Sequence, residues 1–338
     1  MTGQFGSLKE FADALQTLPE PHQQASKRAS ERNALLTKPQ GALGRLEDIS
    51  IWYCGWRGNP KANIENPQVI VFAGNHGVAT KGVSAFPTEV TAQMVANFDA
   101  GGAAINQLAK SAGAELSVLA LELDTPTADF TKGPAMSDEE CTDALSAGWQ
   151  AVDPSADALV VGEMGIGNTT SAAAVCLALF GGDAADWTGA GTGLDGHALR
   201  HKTEVVTKGV NSNSAAKNDG LVALTALGGR ELAAMAGAIV AARMHSIPVV
   251  LDGFICCAAA ACLEVAKRGA LNHTIAGHLS SEAAHSRLLE RLGKKPLLDL
   301  GMRLGEGSGG ALALNILRAA LACHSGMATF EEAGVSDG

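Results

Sequence analysis

The 338-residue chain is poor in aromatic residues, at 4%, and short of positive charge, with 25 Lys+Arg against 35 Asp+Glu. A formal charge of −10 leaves no basic face for the phosphates of a nucleic acid, so nucleic acid is not an expected partner. The seven cysteines (Cys54, Cys141, Cys176, Cys256, Cys257, Cys262 and Cys323) form no CxxC pair and sit mostly in apolar runs. That usage points to a reduced, cytoplasmic protein. Residues 1–21 carry acids and polar residues where a secretory signal needs a basic start and an apolar run, so no secretion is expected. The most hydrophobic stretch, residues 247–263, has Asp252 near its start and falls short of the ~18–20 uncharged residues that span a bilayer. It reads as buried core, and no membrane is expected. Internal repeats and low-complexity linkers are also lacking.

Glycine, by contrast, is plentiful at 40 residues, and 46% of the chain is hydrophobic, enough for the core of one large or two modest domains. Up to about Cys54 the apolar residues Phe11, Leu15, Leu35, Leu36, Leu43, Leu46 and Ile49 recur at helical spacing, interrupted by prolines. Beyond Pro67 the pattern changes to short apolar strands, each ending in Gly, Asn or Asp and followed by an Ala-rich helix. Strands are expected at 69–73, 116–121, 158–162 and 247–251. Strands without period-two alternation are those of a parallel sheet buried on both faces. The expected fold is therefore α/β, a Rossmann-like doubly wound parallel sheet whose ligand lies beyond the carboxyl ends of the strands.

Three segments carry candidate chemistry. In Gly162-Glu-Met-Gly-Ile-Gly-Asn-Thr-Thr-Ser171, Gly165 and Gly167 allow a tight turn. Asn168, Thr169, Thr170 and Ser171 then open a helix with capping oxygens and free N–H groups. An anion site and an ordinary capped turn both fit that pattern, and the absence of a following Gly-Lys-Ser/Thr excludes a Walker-type loop. In the second segment, residues 191–196 formally satisfy GxGxxG, but no strand precedes them and no acid follows at the distance a dinucleotide fold uses. Gly191, Thr192 and Gly193 read better as a backbone-donating loop. Lys202 nearby is either a phosphate counter-charge or a solvated surface residue. His197 and His201 stand four apart, a metal-ligand spacing that lacks a third ligand, so no metal is expected. The third segment, Met302-Arg-Leu-Gly-Glu-Gly-Ser-Gly-Gly-Ala311, holds Glu306 alone among glycines. Desolvation there would raise its pKa toward that of a general base, whereas a helix N-terminus would lower it.

Together with Lys38-Pro-Gln-Gly-Ala-Leu-Gly-Arg-Leu-Glu47, Asn75-His-Gly-Val78 and Leu251-Asp-Gly-Phe254, these segments resemble the nicotinate-nucleotide:5,6-dimethylbenzimidazole phosphoribosyltransferase family over most of the chain. The family makes α-ribazole 5′-phosphate for the lower ligand of cobalamin. The resemblance implies a large α/β domain, residues 61–300, and a smaller helical domain formed by both chain ends, residues 1–60 and 301–338. It also implies a homodimer without a cofactor, acting on nicotinate mononucleotide and 5,6-dimethylbenzimidazole. Carried onto this sequence, the family's catalytic base falls on Glu306 and a second acid on Glu163. The nucleotide phosphate falls to Gly165, Gly167, Asn168, Thr169, Thr170, Gly191, Thr192, Gly193 and Lys202. Phe86, Met94, Met302 and Leu304 would line the base pocket. The chain departs from the family pattern at Asn75, where Asp is common, at Ala42, where Ser is usual, and in a shortened loop at residues 124–132. A non-catalytic nucleotide-binding protein on the same fold, or transfer to another base, are the competing readings.

Overall fold

The computed structural model describes residues 3–336. Five parallel strands form one sheet: β1 (Pro67–Gly74), β2 (Glu115–Leu121), β3 (Ala158–Met164), β4 (Val249–Leu251) and β5 (Thr274–Ala276), in the order β2-β1-β3-β4-β5. From β1 the chain first builds outward to β2 and then returns to the other side for β3, β4 and β5, so the winding reverses between β1 and β3. At such a reversal the crossover helices diverge to opposite faces and leave a crevice at the carboxyl ends.

The missing period-two pattern has a direct cause. Alternate residues of the central strands enter two different apolar cores. Ile70, Phe72, Leu159 and Val161 face one, while Val69, Val71, Ala158 and Val160 face the other. The first core is closed by helices that include Asp138–Gln150, Asn168–Phe180, Arg230–Met244 and Phe254–Ala266. On the second face lie Arg45–Arg57, Ala104–Ser111 and Ser308–Gly326. β2, at the edge of the sheet, is largely half-buried or exposed and alternates over its first four residues. β5, absent from the expected strands, is three residues long, too short for any periodicity to register.

Small residues let helices approach to backbone contact. A Cβ on Gly148 would stand 1.8 Å from the Ala234 carbonyl oxygen, and one on Gly237 would stand 2.0 Å from that of Leu145. The helices Asp138–Gln150 and Arg230–Met244 are thus packed through reciprocal glycines, which is where part of the high glycine content goes.

The two chain ends meet. Leu36 pairs with Thr329 in an isolated antiparallel bridge, and the Arg32 guanidinium donates to the carbonyls of His324 at 3.0 Å and Met327 at 2.7 Å. The helix Leu8–Leu15 lies elsewhere, on the first face, where Phe5 sits edge-on to both Phe11 and Trp149 with ring centroids 5.2 Å apart. The Lys38–Glu47 motif closes on itself. The Lys38 Nζ is 3.0 Å from a Glu47 carboxylate that also accepts from the Leu43 N–H and the Asn33 amide.

Candidate active site

The carboxyl ends of β1, β3 and β4 deliver Asn75 and His76, Glu163, and Asp252 to one region. The loop before the helix Ser308–Gly326 folds over them. It can do so because β3 has glycine at position 162, where a Cβ would come within 2.4 Å of the Glu306 carbonyl carbon. Asp252 ties the loop down from the other side, accepting the N–H of Gly307 at 3.2 Å and of Gly310 at 2.9 Å. Glu306 itself has φ +63°, a left-handed conformation that costs a non-glycine residue of order 1–3 kcal/mol and persists where surrounding contacts impose it.

Glu306 is buried, and its Oε2 has no hydrogen-bond partner. Burial first, and the like charge of Asp252 second, push its carboxyl up to about 7. The dipole-lowered alternative therefore does not describe this residue: desolvation outweighs the helix N-terminus. Glu163 is buried as well, with Gly305 against its Oε1 and the Asn168 amide donating to its Oε2. Its carboxyl is held well above the usual range, by burial and then by Asp252 and Glu231. The Asn168 hydrogen bond opposes this without overcoming it. An acid whose proton affinity is strongly raised thus lies beside one raised to about 7, an arrangement suited to proton transfer at one of them.

The helix after β3 starts at Asn168, and its N-cap is Gly167 at φ +96°. Asn168, Thr169, Thr170 and Ser171 therefore form its first turn instead of capping it. No side chain caps this end. The N–H groups of Asn168 and Thr170 are taken by the carbonyls of Gly165 and Gly167, at 3.2 and 2.9 Å, and the helix end brings its partial positive charge to the carboxyl end of β3. Lys202, on the helix Gly196–Ser212, is fully buried. Its ammonium donates to Thr169 Oγ1 at 2.8 Å and to the Gly189 carbonyl at 3.0 Å. A Cβ on Gly191 would come within 3.0 Å of it. The solvated reading of Lys202 is thereby excluded. Burial lowers its pKa to about 8, while Glu282 opposes the shift. A buried cation with no carboxylate in direct contact, between Thr169 and Gly191, joins the two glycine loops.

The same loops lead to the candidate base pocket. Thr192 Oγ1 accepts the Ala85 N–H at 2.9 Å and shares a hydrogen bond with Ser84, and Arg303 reaches the Gly191 carbonyl at 3.4 Å. This brings the segments bearing Phe86 and Leu304 to the rim of the Gly191–Gly193 loop. Both side chains are more than half exposed, at 53% and 55%. Met94 is half-buried on the helix Glu89–Asp99, whose Thr91 accepts the Ile166 N–H at 3.2 Å. Met302 is half-buried too, and its carbonyl accepts from Ser281.

Three residues with no role assigned from sequence belong to this region: Asp252, His76 and Glu231. The first two stood in quoted motifs. Glu231, from the ordinary-looking run Gly-Gly-Arg-Glu-Leu, carried no signal, because only the crossing of its helix behind β1 brings it close. His201, on the other hand, spends Nε2 on the Lys81 carbonyl, and His197 is exposed.

Comparison with known proteins identifies the family of the chain. A family model described as a phosphoribosyltransferase matches residues 18–335. A nicotinate-nucleotide-dimethylbenzimidazole phosphoribosyltransferase of Ruegeria pomeroyi is 65% identical over 331 residues, 98% of each chain. One of Cereibacter sphaeroides is 60% identical over 338 residues, the whole of both. This chain belongs to the nicotinate-nucleotide-dimethylbenzimidazole phosphoribosyltransferase family. The crystal structure of CobT from Thermus thermophilus superposes with a TM-score of 0.87 at 41% identity, covering 93% of this chain and 100% of that one. The α/β fold is therefore that of the family. Among the described residues no helix is long and apolar enough to cross a membrane.

Proposed function

We propose that the protein transfers the phosphoribosyl group of nicotinate mononucleotide to 5,6-dimethylbenzimidazole, releasing nicotinate and α-ribazole 5′-phosphate for cobalamin lower-ligand synthesis. The observation that carries the mechanism is Glu306: a buried carboxyl with a free oxygen, poised near neutrality at the crevice. One ring nitrogen of the benzimidazole attacks C1′ of the ribose from the face opposite nicotinate. As the new C–N bond forms, the other ring nitrogen gives its proton to Glu306. The old C1′–N bond breaks with its electrons moving to nicotinate, whose cationic pyridinium becomes a neutral ring, so the leaving group needs no acid.

Glu163, whose proton affinity burial raises, supplies a hydrogen bond near the reacting centre. The first turn at Asn168, Thr169 and Thr170, the loop Gly191, Thr192 and Gly193, and the Lys202 ammonium hold the 5′-phosphate. Phe86, Met94, Met302 and Leu304 receive the base. Holding both substrates in register supplies a large part of the acceleration through proximity. The proposal extends to the assembly: residues 1–60, apart from the helix Leu8–Leu15 on the first face, and residues 301–338 act as a small helical unit over residues 61–300, the protein is a homodimer, and it works in the reduced cytoplasm, consistent with cysteines that are all free.

The test is to incubate the purified protein with both substrates, without added metal, and analyse products by chromatography with mass detection. The expected result is α-ribazole 5′-phosphate with stoichiometric nicotinate. Binding of the nucleotide without turnover across benzimidazoles, purines and phenols would favour a binding protein instead.

A further inference from the structure

Behind the phosphate loop three buried polar side chains stand in line. His76, two residues beyond β1, has Nε2 2.5 Å from Glu231 Oε1 and Nδ1 2.9 Å from Ser171 Oγ. All three residues are essentially without solvent exposure. A carboxylate can only accept, so Nε2 carries the hydrogen toward Glu231, and Nδ1 shares the hydrogen bond with Ser171 Oγ. The order Ser-His-Glu is that of a hydrolytic triad, yet Ser171 is sealed in the first turn of a buried helix where no acyl substrate can reach it. A nucleophile is excluded, and the line must act through what it holds.

The backbone around it is shaped to its size. A Cβ on Gly229 would lie 2.2 Å from His76 Cε1, and one on Gly74 would lie 2.5 Å from Glu231 Oε2. A Cβ on Gly165 would lie 3.1 Å from Glu231 Oε1 and 2.6 Å from the Gly74 carbonyl oxygen. Glycines from three separate segments thus leave room for two charged or ionisable side chains. Glu231 occupies the first turn of the helix Arg230–Met244, where the helix end favours its carboxylate, and its Oε2 has no partner. The segment from Gly165 to Ser171 is consequently fastened at its middle and its far end: through Asn168 to Glu163, and through Ser171 and His76 to Glu231.

We infer that Ser171, His76 and Glu231 form a buried positioning relay that holds the 165–171 turn in its anion-binding shape, so that the site is set before the nucleotide phosphate arrives. These residues touch neither substrate. Their effect is on the fraction of molecules whose turn is competent to bind, and a binding constant weakens in proportion as that fraction falls. The relay would therefore bear on the phosphorylated donor and leave the acceptor pocket alone. This inference rests on the proposed function for its kinetic reading only.

The experiment compares the parent with Ser171→Ala, Ser171→Cys and His76→Gln. Ser171→Ala removes a single hydroxyl from a helix and leaves one buried ring nitrogen without its partner, a loss that amounts to roughly tenfold in an equilibrium. Expected are a roughly tenfold rise in the KM for nicotinate mononucleotide, little change in kcat or in the KM for 5,6-dimethylbenzimidazole, and an intermediate value for Ser171→Cys. Amide hydrogen exchange in residues 165–171 of the substrate-free protein should quicken in the Ala variant. A uniform fall in kcat with both KM values unmoved, or unchanged exchange in the turn with an unchanged donor KM, overturns the relay. Should His76→Gln fail to fold, the Ser171 pair decides the matter. If the parent itself shows no turnover, the proposed function has failed, and hydrogen exchange still judges the relay.

Discussion

Asp252 and Glu306 are coupled through the loop between them and the helix that follows. The Asp252 carboxylate accepts the N–H of Gly307, the residue directly after Glu306, and of Gly310 one turn on, while its charge raises the proton affinity of Glu306. One side chain therefore both anchors the candidate base and tunes it. In Asp252→Asn the amide nitrogen cannot accept, so one of the two backbone bonds is lost at a cost of about 1 kcal/mol. Removal of the charge also lowers the Glu306 pKa. The acid limb of the rate profile should move to lower pH while the melting temperature falls; a limb that stays in place would separate Asp252 from the base.

Glu306→Gln should reduce turnover by roughly 10²-fold or more, the usual size of a general-base contribution, with nucleotide binding nearly intact. In the parent the base must be unprotonated, and its carboxyl is pushed up to about 7. Activity is expected to rise with pH through about 7, a limb absent from the Gln variant. Steady-state kinetics with calorimetric nucleotide titration check both points.

The same substitution has an opposite effect on stability. Because the folded carboxyl titrates near 7 and the ordinary value is 4.5, the native state keeps a proton that the unfolded chain has already released between those values. The stabilising contribution is complete below the unfolded pKa and is lost as pH rises through the folded one. Glu306→Gln should therefore melt above the parent at pH 8 and close to it at pH 5, by differential scanning calorimetry. Equal melting temperatures at pH 8 would contradict the burial of a charged Glu306.

Lys202→Met preserves most of the buried volume and removes the cation between Thr169 and Gly191. Binding of nicotinate mononucleotide should weaken at least tenfold, in keeping with a lost charge-assisted contact, and binding of the dephosphorylated riboside should not change. Since burial lowers the Lys202 pKa to about 8, donor affinity in the parent should decline as pH rises past that value. Equal losses for nucleotide and riboside would place the phosphate elsewhere.

Gly162→Ala tests the seat of the loop. Its Cβ would lie 2.4 Å from backbone of Glu306, which cannot move aside as a flexible side chain would. Overpacking of this kind typically costs about 1–3 kcal/mol. A kcat reduced more than tenfold together with a lower melting temperature is expected, and full activity would show that the loop does not depend on this contact.

Much of the architecture was legible from order and spacing alone. Apolar runs without alternation mark strands buried on both faces, and β1, β3 and β4 appear where such runs precede Gly, Asn or Asp. Glycine motifs separated by short intervals mark turns where backbone and ligand approach, and the motifs around Glu163 and Glu306 proved to be neighbours. Each of these signals is local: it concerns what one segment of backbone can do.

What the sequence could not decide is how ionisable groups behave once distant segments meet. Pattern left Lys202 between a surface residue and a phosphate ligand, and Glu306 between a lowered and a raised pKa, because both depend on solvent exclusion. Glu231 carried no pattern at all, and it enters the site only through the crossing of its helix behind β1. Burial and like-charge proximity are properties of the folded assembly of five strands and their helices, so the sequence determined where the turns and strands lie, and only the tertiary structure decided which acids have their proton affinity raised.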